Sequence, residues 1–205
     1  SGKNPTDLMF DDSFNTDVLS IFGQYSIDLS DATELSFEGR YDKESRSVDN
    51  NVPGAASALY YGGGAPINPA MAAVGDSIPS RSQSFDQFQP KISLTTSAEN
   101  TTVYASYGVG FRSGGFNNSG VAATTEFWLN SGNPFGLGTV GSGLSVSDSY
   151  KKEVSKSFEA GFKGRYLDGR LAVNGAIFKT TVDNSQFFEF FAGPWGLLRV
   201  VTNID

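Results

Sequence analysis

The sequence has no cysteine and no histidine among its 205 residues. These absences exclude a thiol nucleophile, an imidazole base and a Cys/His metal site. There is also no apolar run of about eighteen residues or more, which excludes a transmembrane helix. Basic residues are in the minority, and the net charge of −7 argues against the basic surface that nucleic-acid binding needs. We therefore expect a protein that is not an enzyme, with no metal site, no cofactor and no nucleic-acid partner.

Tryptophan and methionine are also scarce, with 2 residues of each type, whereas glycine and phenylalanine reach 24 and 17. Only 39% of the chain is hydrophobic, which fits poorly with a helical protein. Aromatic residues nevertheless make up 13% of it. This combination favours β structure or an aromatic-rich interface.

The clearest periodic stretch is Thr101–Asn117. Every odd position from Val103 to Phe111 is apolar, and the even positions between them are polar, small or amphipathic. Such a period of about two residues predicts a strand with two chemically different faces.

Other stretches alternate in the same way, separated by connections of two lengths. The further predicted strands are Leu19–Leu29, Leu35–Asp42, Gln87–Ala98, Val154–Tyr166 and Leu171–Asp183, with Leu197–Asp205 as the candidate start of another. Short turns are expected at 30–33, 99–100 and 167–170. Long irregular loops are expected at 45–83, 115–150 and 187–196, and residues 1–16 are also expected to form a loop.

Short turns and long loops alternate strictly, so every long loop must leave the strands at the same end. This asymmetry is typical of outer-membrane β-barrels. A lipid-facing surface requires charged side chains to lie opposite the apolar rows, and those that do are Asp28, Glu38, Arg40, Lys91, Arg112, Glu159, Lys163 and Arg165. Lys179 lies on the apolar row of its strand, and we expect it at the rim. A soluble antiparallel sheet also sorts its two faces, so that alternative stays open.

The predicted fold class is all-β, a transmembrane antiparallel barrel segment of about six or seven strands. A sheet of this size leaves two open edges, and lipid does not tolerate unpaired backbone. Either several chains share one barrel, or this chain is part of a larger one. A loop as long as 45–83 suits a wide barrel better than a small pore.

The sequence VYASYGVGFRSGGFN (Val103–Asn117) resembles a segment of TonB-dependent outer-membrane receptors in which a strand runs into a glycine-rich rim. Three other stretches are similar to the same family, namely VLSIFGQYSIDLSDATELSFEGRYDKES, FDQFQPKISLTTS and SKSFEAGFKGRYLDGRLAVNGAIFKTTVDNSQ. The motif residues are Tyr104, Gly110, Phe111, Gly114, Gly115, Phe116 and Asn117 in the first stretch, and Glu159, Gly161 and Lys163 in the last.

The resemblance implies a plugged barrel of about 22 strands. Residues 1–205 would then be part of the barrel domain, with the plug domain and the remaining strands outside this sequence. The implied function is import of a scarce nutrient, an iron–siderophore complex foremost, with a corrinoid or a glycan as other options, energised through TonB. The implied location is the outer membrane of a Gram-negative bacterium. The expected partners are outer-membrane lipid and lipopolysaccharide, the TonB complex through the missing N-terminal region, and a substrate such as a ferric siderophore.

Two alternatives to import remain open from the residues alone. One is a passive porin-like channel, and the other is a soluble β-sandwich or lectin-like binding module. A plug domain and a TonB-contacting segment in the same gene would exclude the first, and a requirement for detergent would exclude the second.

Candidate ligand-binding residues lie at the rim and in the long loops. Arg112 is expected to face the lumen and to contact an anionic ligand or the plug, with a salt bridge at the rim as the alternative. Loop aromatics could line a mouth that holds a siderophore or a sugar ring, with packing among the loops as the alternative. These aromatics are Tyr60, Tyr61, Phe127, Trp128 and Trp195.

Overall fold

The computed structural model describes residues 5–130, 145–193 and 196–204. The strands are β1 (Asp12–Ser30), β2 (Thr33–Asn50), β3 (Arg81–Ala98), β4 (Thr101–Arg112), β5 (Gly115–Phe116), β6 (Ser149–Tyr150), β7 (Glu153–Tyr166), β8 (Leu171–Asp183), β9 (Ser185–Gly193) and β10 (Gly196–Ile204). The α-helices are α1 (Pro69–Val74) and α2 (Val121–Asn130), and short 3₁₀ turns cover Pro5–Leu8 and Gly54–Ala58. None of the helices in these ranges has the length and hydrophobicity needed to cross a membrane.

The main structure is a six-stranded sheet in the order β1-β2-β3-β4-β7-β8. Every neighbouring pair in it is antiparallel. Within this sheet the predicted alternation of connections is confirmed: short turns join the strands at one end, and segments 51–80 and 113–152 leave at the other. We call these the short-turn end and the long-loop end. The alternation does not continue after β8, which a single residue, Asn184, joins to β9. The smaller pairs β5-β6 and β9-β10 form separate two-stranded sheets.

The register aligns the apolar rows that the sequence predicted on separate strands. Tyr25, Phe37, Ile92, Tyr107 and Phe158 lie side by side on successive strands of the sheet. All of them are exposed. We call this the apolar face, and it presents hydrophobic side chains to the surroundings rather than to a core.

The opposite face, here called the polar face, carries paired charges. Arg40 contacts Asp42 at 2.8 Å, and Lys91 contacts Glu38 at 2.9 Å. Asp42 also accepts hydrogen bonds from Ser20 and from Gln89. Apart from Arg40–Asp42, which lies within β2, these contacts link neighbouring strands, so the polar face is a hydrogen-bonded surface suited to water.

Charged residues on the apolar face mark where its hydrophobic band ends. Toward the long-loop end, a charged side chain ends the band on five of the strands. These side chains are Asp17 on β1, Lys43 on β2, Asp86 on β3, Lys156 on β7 and Lys179 on β8. Lys179 pairs in register with Phe158 of β7. It lies two residues beyond the exposed Ile177, on the same face of β8. Lys179 thus lies at the rim of the band, as expected from the sequence, and Lys156 lies at the same rim on β7.

The ladder between β3 and β4 is shorter than its neighbours. It runs from Ala98–Thr101 to Lys91–Gly108 and stops at Pro90, which has no N–H to donate. Beyond this point, side chains donate hydrogen bonds to carbonyl groups of β3. Lys152 Nζ donates to the carbonyl oxygen of Asp86 at 2.5 Å, and Gln87 Nε2 donates to that of Phe88 at 2.9 Å. The open stretch of strand edge is therefore partly hydrogen-bonded.

The predicted boundaries were wrong at the long-loop end. Residues 12–16, 45–50 and 81–83 belong to strands rather than loops, and helices α1 and α2 lie inside segments predicted to be irregular. Both faces of the strand ends are polar there, as in Asn15–Asp17 and Ser45–Ser47, so the alternation that revealed the strands disappears. Segment 187–196, also predicted to be irregular, contains most of β9. Its phenylalanines occupy both faces and hide the period.

The candidate strand at Leu197–Asp205 is present as β10, which pairs with β9. Phe191 faces Leu198 across this hairpin, and Phe188 faces Val201. The predicted strand and the missed one are therefore two arms of the same hairpin.

A lipid-facing role for the apolar face predicts a strong penalty for a charge placed within it. Leu94→Arg should lower the free energy of unfolding by roughly 2–4 kcal/mol, because the guanidinium would lie in hydrocarbon. The adjacent Thr95→Arg, on the polar face, is the matched control and should cost much less. The measurement is urea unfolding of the receptor containing this chain in lipid vesicles. Equal losses in the two variants would contradict the assignment.

Candidate functional site

The segments at the long-loop end pack together into a small core of their own. Its buried members are Met9, Ala65, Val121, Trp128, Leu198 and Val200. They come from the N-terminal segment, both long connections and β10, and we call this assembly the loop cap. The loops thus form a packed structure above the strands.

Several of the predicted loop aromatics meet inside the loop cap. Trp128 is 0% exposed and makes edge-to-face contacts with Tyr61 at 5.9 Å and with Phe127 at 5.3 Å between ring centroids. Burial raises the pKa of Tyr61, which favours the neutral phenol. Tyr60 is different, because 55% of it is exposed. Trp195 lies outside the described residues.

Asn117 of the family motif joins the loop cap to β10. Its Oδ1 accepts a hydrogen bond from the N–H of Val201 at 2.8 Å, and its Nδ2 donates to the carbonyl oxygen of the same residue at 2.9 Å. Nδ2 also donates to the carbonyl oxygen of Ser147 at 2.8 Å. The side-chain amide therefore pairs with β10 as a neighbouring strand would. A side-chain amide can do this because, like a peptide group, it holds its donor and its acceptor on separate atoms of one planar group.

Two carboxylates hold the segment between Asn117 and α2. Asp12 Oδ2 accepts the N–H of Ser119 at 2.9 Å and the Nδ2 group of Asn118 at 3.0 Å. Asp148 Oδ1 accepts the N–H of Ala122 at 2.8 Å, in the first turn of α2, where a carboxylate is favoured by the helix dipole. The segment is thereby fixed to the top of β1 by Asp12 and to the later part of the same connection by Asp148.

Phe116 and Gly114, both in the family motif, pack closely against the strand ends. The guanidinium carbon of Arg81 lies 5.1 Å from the centroid of the Phe116 ring. A Cβ on Gly114 would lie 2.5 Å from the carbonyl oxygen of Tyr150, which is backbone and cannot turn away. Gly115 pairs with Tyr150 in the β5-β6 ladder. The backbone of Tyr150 therefore comes close to the chain at the glycine-rich motif, which explains why Gly114 has no side chain.

The motif residues on β4 and β7 lie lower on the sheet. Tyr104 donates to Glu159 Oε1 at 2.6 Å, and the Lys163 ammonium lies 5.7 Å from the centroid of the Tyr104 ring. Gly161 leaves room for this arrangement, because a Cβ there would meet the Tyr104 hydroxyl at 2.8 Å and the carbonyl oxygen of Gly175 at 2.6 Å. These contacts crosslink β4 and β7 on the polar face.

Gly110 and Phe111 complete the motif at the upper part of β4. Gly110 pairs in register with Ser155, and Phe111 pairs with Val154 on the apolar side. They continue the two faces of β4 up to Arg112, where the strand ends.

Arg112 is the last residue of β4, and its basic side chain is exposed on the polar face. Its register partner is Glu153, whose Oε2 accepts the N–H of Gln186 at 2.7 Å. Within the described ranges, no carboxylate comes within salt-bridge distance of Arg112. The guanidinium therefore lies exposed at the long-loop end of the polar face. The described part of the chain shows no cluster of acidic side chains that could hold a metal ion.

Several residues of this end were not found from the sequence. Asp12, Met9 and Val200 connect distant parts of the loop cap, and no local pattern marks them. Asn203 gives a weak signal, because the sequence VVTNID (Val200–Asp205) also resembles the point where TonB-dependent receptors usually enter their next strand. Its Nδ2 donates to the carbonyl oxygens of Lys151 and Asn184 at 3.1 and 2.8 Å.

Comparison with known proteins places this geometry in a known family. The profile of the family described as TonB dependent receptor-like, beta-barrel, matches residues 1–205. The copper transporter OprC is 17% identical and similar over 95% of this chain and 26% of its own, with a TM-score of 0.54. The ferric-catecholate import receptor Fiu from E. coli K12 is 21% identical over 94% of this chain and 24% of its own, with a TM-score of 0.53.

A further similar structure is the ferric yersiniabactin uptake receptor FyuA from Yersinia pestis, 14% identical over 85% of this chain and 21% of its own, with a TM-score of 0.53. The chain thus spans between 21% and 26% of the length of these structures. At these identities the similarity establishes the fold.

The amide pairing of Asn117 predicts a local effect on β10. Asn117→Ala should remove the partners of the Val201 backbone, at a cost of roughly 1–3 kcal/mol for the groups left unpaired. Hydrogen exchange of the Val201 amide should accelerate. Asn118→Ala, which removes a neighbouring amide with a different partner, is the matched control. Unchanged exchange at Val201 in the Asn117 variant would contradict the proposed pairing.

Proposed function

This chain belongs to the TonB-dependent receptor β-barrel family, and we propose that it forms part of the barrel wall of an outer-membrane receptor that actively imports a scarce nutrient. The family is one of transport receptors of the outer membrane, and its members form β-barrels. The observation that supports the proposal most strongly is the family match along all 205 residues, combined with a sheet whose two faces differ so sharply.

We place the apolar face against lipid and the polar face toward the barrel lumen. In barrels of the outer membrane the short turns are periplasmic and the longer loops extracellular. The loop cap and Arg112 then lie at the extracellular mouth. Lipopolysaccharide and other outer-membrane lipids would surround the apolar face of this wall.

The rest of the receptor would supply what a segment of wall cannot. We assign residues 1–205 to the barrel domain, with the plug domain, the other strands and the segment that contacts TonB in other parts of the same receptor. Energy for transport would come from the inner membrane through TonB. A complete plugged barrel of this family has about 22 strands.

The proposed substrate is a ferric siderophore. Two of the similar structures are iron-uptake receptors by name, FyuA and Fiu. The exposed guanidinium of Arg112 suits an anionic iron chelate, because arginine binds carboxylates and other planar anions through paired hydrogen bonds. Copper is the second candidate, because a third similar structure is the copper transporter OprC.

The function is tested by deleting the gene and measuring uptake of radiolabelled iron presented as catecholate, hydroxamate or mixed-type siderophores, with ionic copper in parallel. We expect uptake of one class of ferric siderophore to be lost, and the same uptake to be lost in a strain without TonB. Uptake that persists without TonB would support a passive channel instead. Loss of copper uptake alone would favour the second candidate.

Arg112 provides a residue-level test of the binding mouth. Arg112→Gln should weaken binding of the transported ferric siderophore by about tenfold or more, because a hydrogen bond to a charged group contributes about 1.5–3 kcal/mol. Arg165→Gln, an exposed arginine on the same face at the short-turn end, should leave the Kd unchanged. The Kd is measured on the purified full receptor. An unchanged Kd in the Arg112 variant would remove this residue from the binding site.

A further inference from the structure

The apolar face contains a groove that crosses three strands. Its floor is the register row Gly23–Gly39–Pro90, in which none of the three residues has a long side chain. The groove has a volume of about 610 Å³. Its floor exists only because these residues, far apart in the sequence, are brought side by side by the strand register.

Aromatic side chains form the walls of the groove. The next register row toward the short-turn end is Tyr25–Phe37–Ile92–Tyr107, which stands along one side. On the other side is Phe88, whose ring would lie 3.3 Å from a Cβ on Gly39. Near Gly23 there is open space, with nothing within 4 Å of an added Cβ. The groove is therefore walled along its short-turn side, flanked by Phe88 on the other side, and open above Gly23.

We propose that this groove binds an acyl chain of lipopolysaccharide. The inference rests on the proposed orientation of the barrel wall, which makes this surface lipid-facing. A bilayer offers the groove only acyl chains, and a groove left empty would lose dispersion contacts with its lining. Since lipid and protein are equally apolar there, shape rather than hydrophobicity selects the occupant.

The groove lies within reach of the long-loop boundary of the band, which the proposed orientation places at the outer leaflet, the one that lipopolysaccharide occupies. Lys43 stands at the charged boundary of the band, four positions along β2 from Gly39, or roughly 13 Å at the rise of a strand. Lys43 is exposed, and although its register neighbour on β3 is Asp86, it has no ion pair in the described ranges. Its ammonium is thus available to a phosphate of the headgroup while an acyl chain of the same molecule descends into the groove.

The test fills the groove without disturbing its walls. Gly23→Leu places a side chain in the open space above the floor, and Val103→Leu is the matched control, since it adds one methylene to the same face outside the groove. The full receptor of each type is purified from outer membranes in mild detergent, and bound lipid A is counted by native mass spectrometry. Heat-modifiable migration on gels establishes that each variant is folded.

We expect wild type and Val103→Leu to retain one more lipid A molecule than Gly23→Leu. Tyr25→Ala, which removes a wall and enlarges the groove, should lower retention as well, so that steric strain from leucine cannot explain the result. Equal retention in wild type and Gly23→Leu overturns the proposal, as does selective loss of a phospholipid instead of lipid A. Siderophore uptake is measured separately in the same variants, so failure of the groove and failure of the import function give different results.

Discussion

The backbone hydrogen-bond ladder from β1 to β8 is the constraint on which the other features of this structure depend. Hydrocarbon offers no partner to a peptide group, so strands that cross it must satisfy one another. The ladder also sets the register, and the register aligns the side chains into an apolar and a polar face. Where Pro90 ends the pairing of β3 with β4, Lys152 and Gln87 donate hydrogen bonds to the carbonyl groups of the free edge. These side-chain hydrogen bonds lower the free-energy cost of the backbone pairs that are missing beyond Pro90.

The charged boundary of the apolar face separates two regions of the chain whose structures depend on different interactions. Inside the band, one face is apolar and the other is polar, so the sequence alternates. Beyond the band both faces of the strands are polar, and the structure depends on specific contacts instead. The loop cap belongs to this second region. Its buried Trp128, the paired amide of Asn117 and the carboxylate of Asp12 hold together segments that share no sequence pattern.

This division explains what could be read from the sequence. The alternation around Val103–Phe111 predicted a two-faced strand, and the short turns predicted the pairing of its neighbours, because both are local properties. The glycine-rich motif after it was recognised by resemblance, but its physical reason, contact between Gly114 and Tyr150, needed the structure. The link from Asn117 to Val201 spans 84 residues and has no local signature. The aromatics of the loops could be named from the sequence, but their packing around Trp128 could not.

Cysteine scanning tests the central claim, that one face of this sheet meets lipid and the other a water-filled lumen. The sequence contains no native cysteine, so single cysteines at Ala105 and Ser106, neighbours on β4, report on opposite faces without background from this segment. The account predicts that a small hydrophilic thiol reagent labels the cysteine at 106 in outer-membrane preparations while the cysteine at 105 stays unlabelled until detergent is added. Equal labelling of both positions in the intact membrane would contradict it.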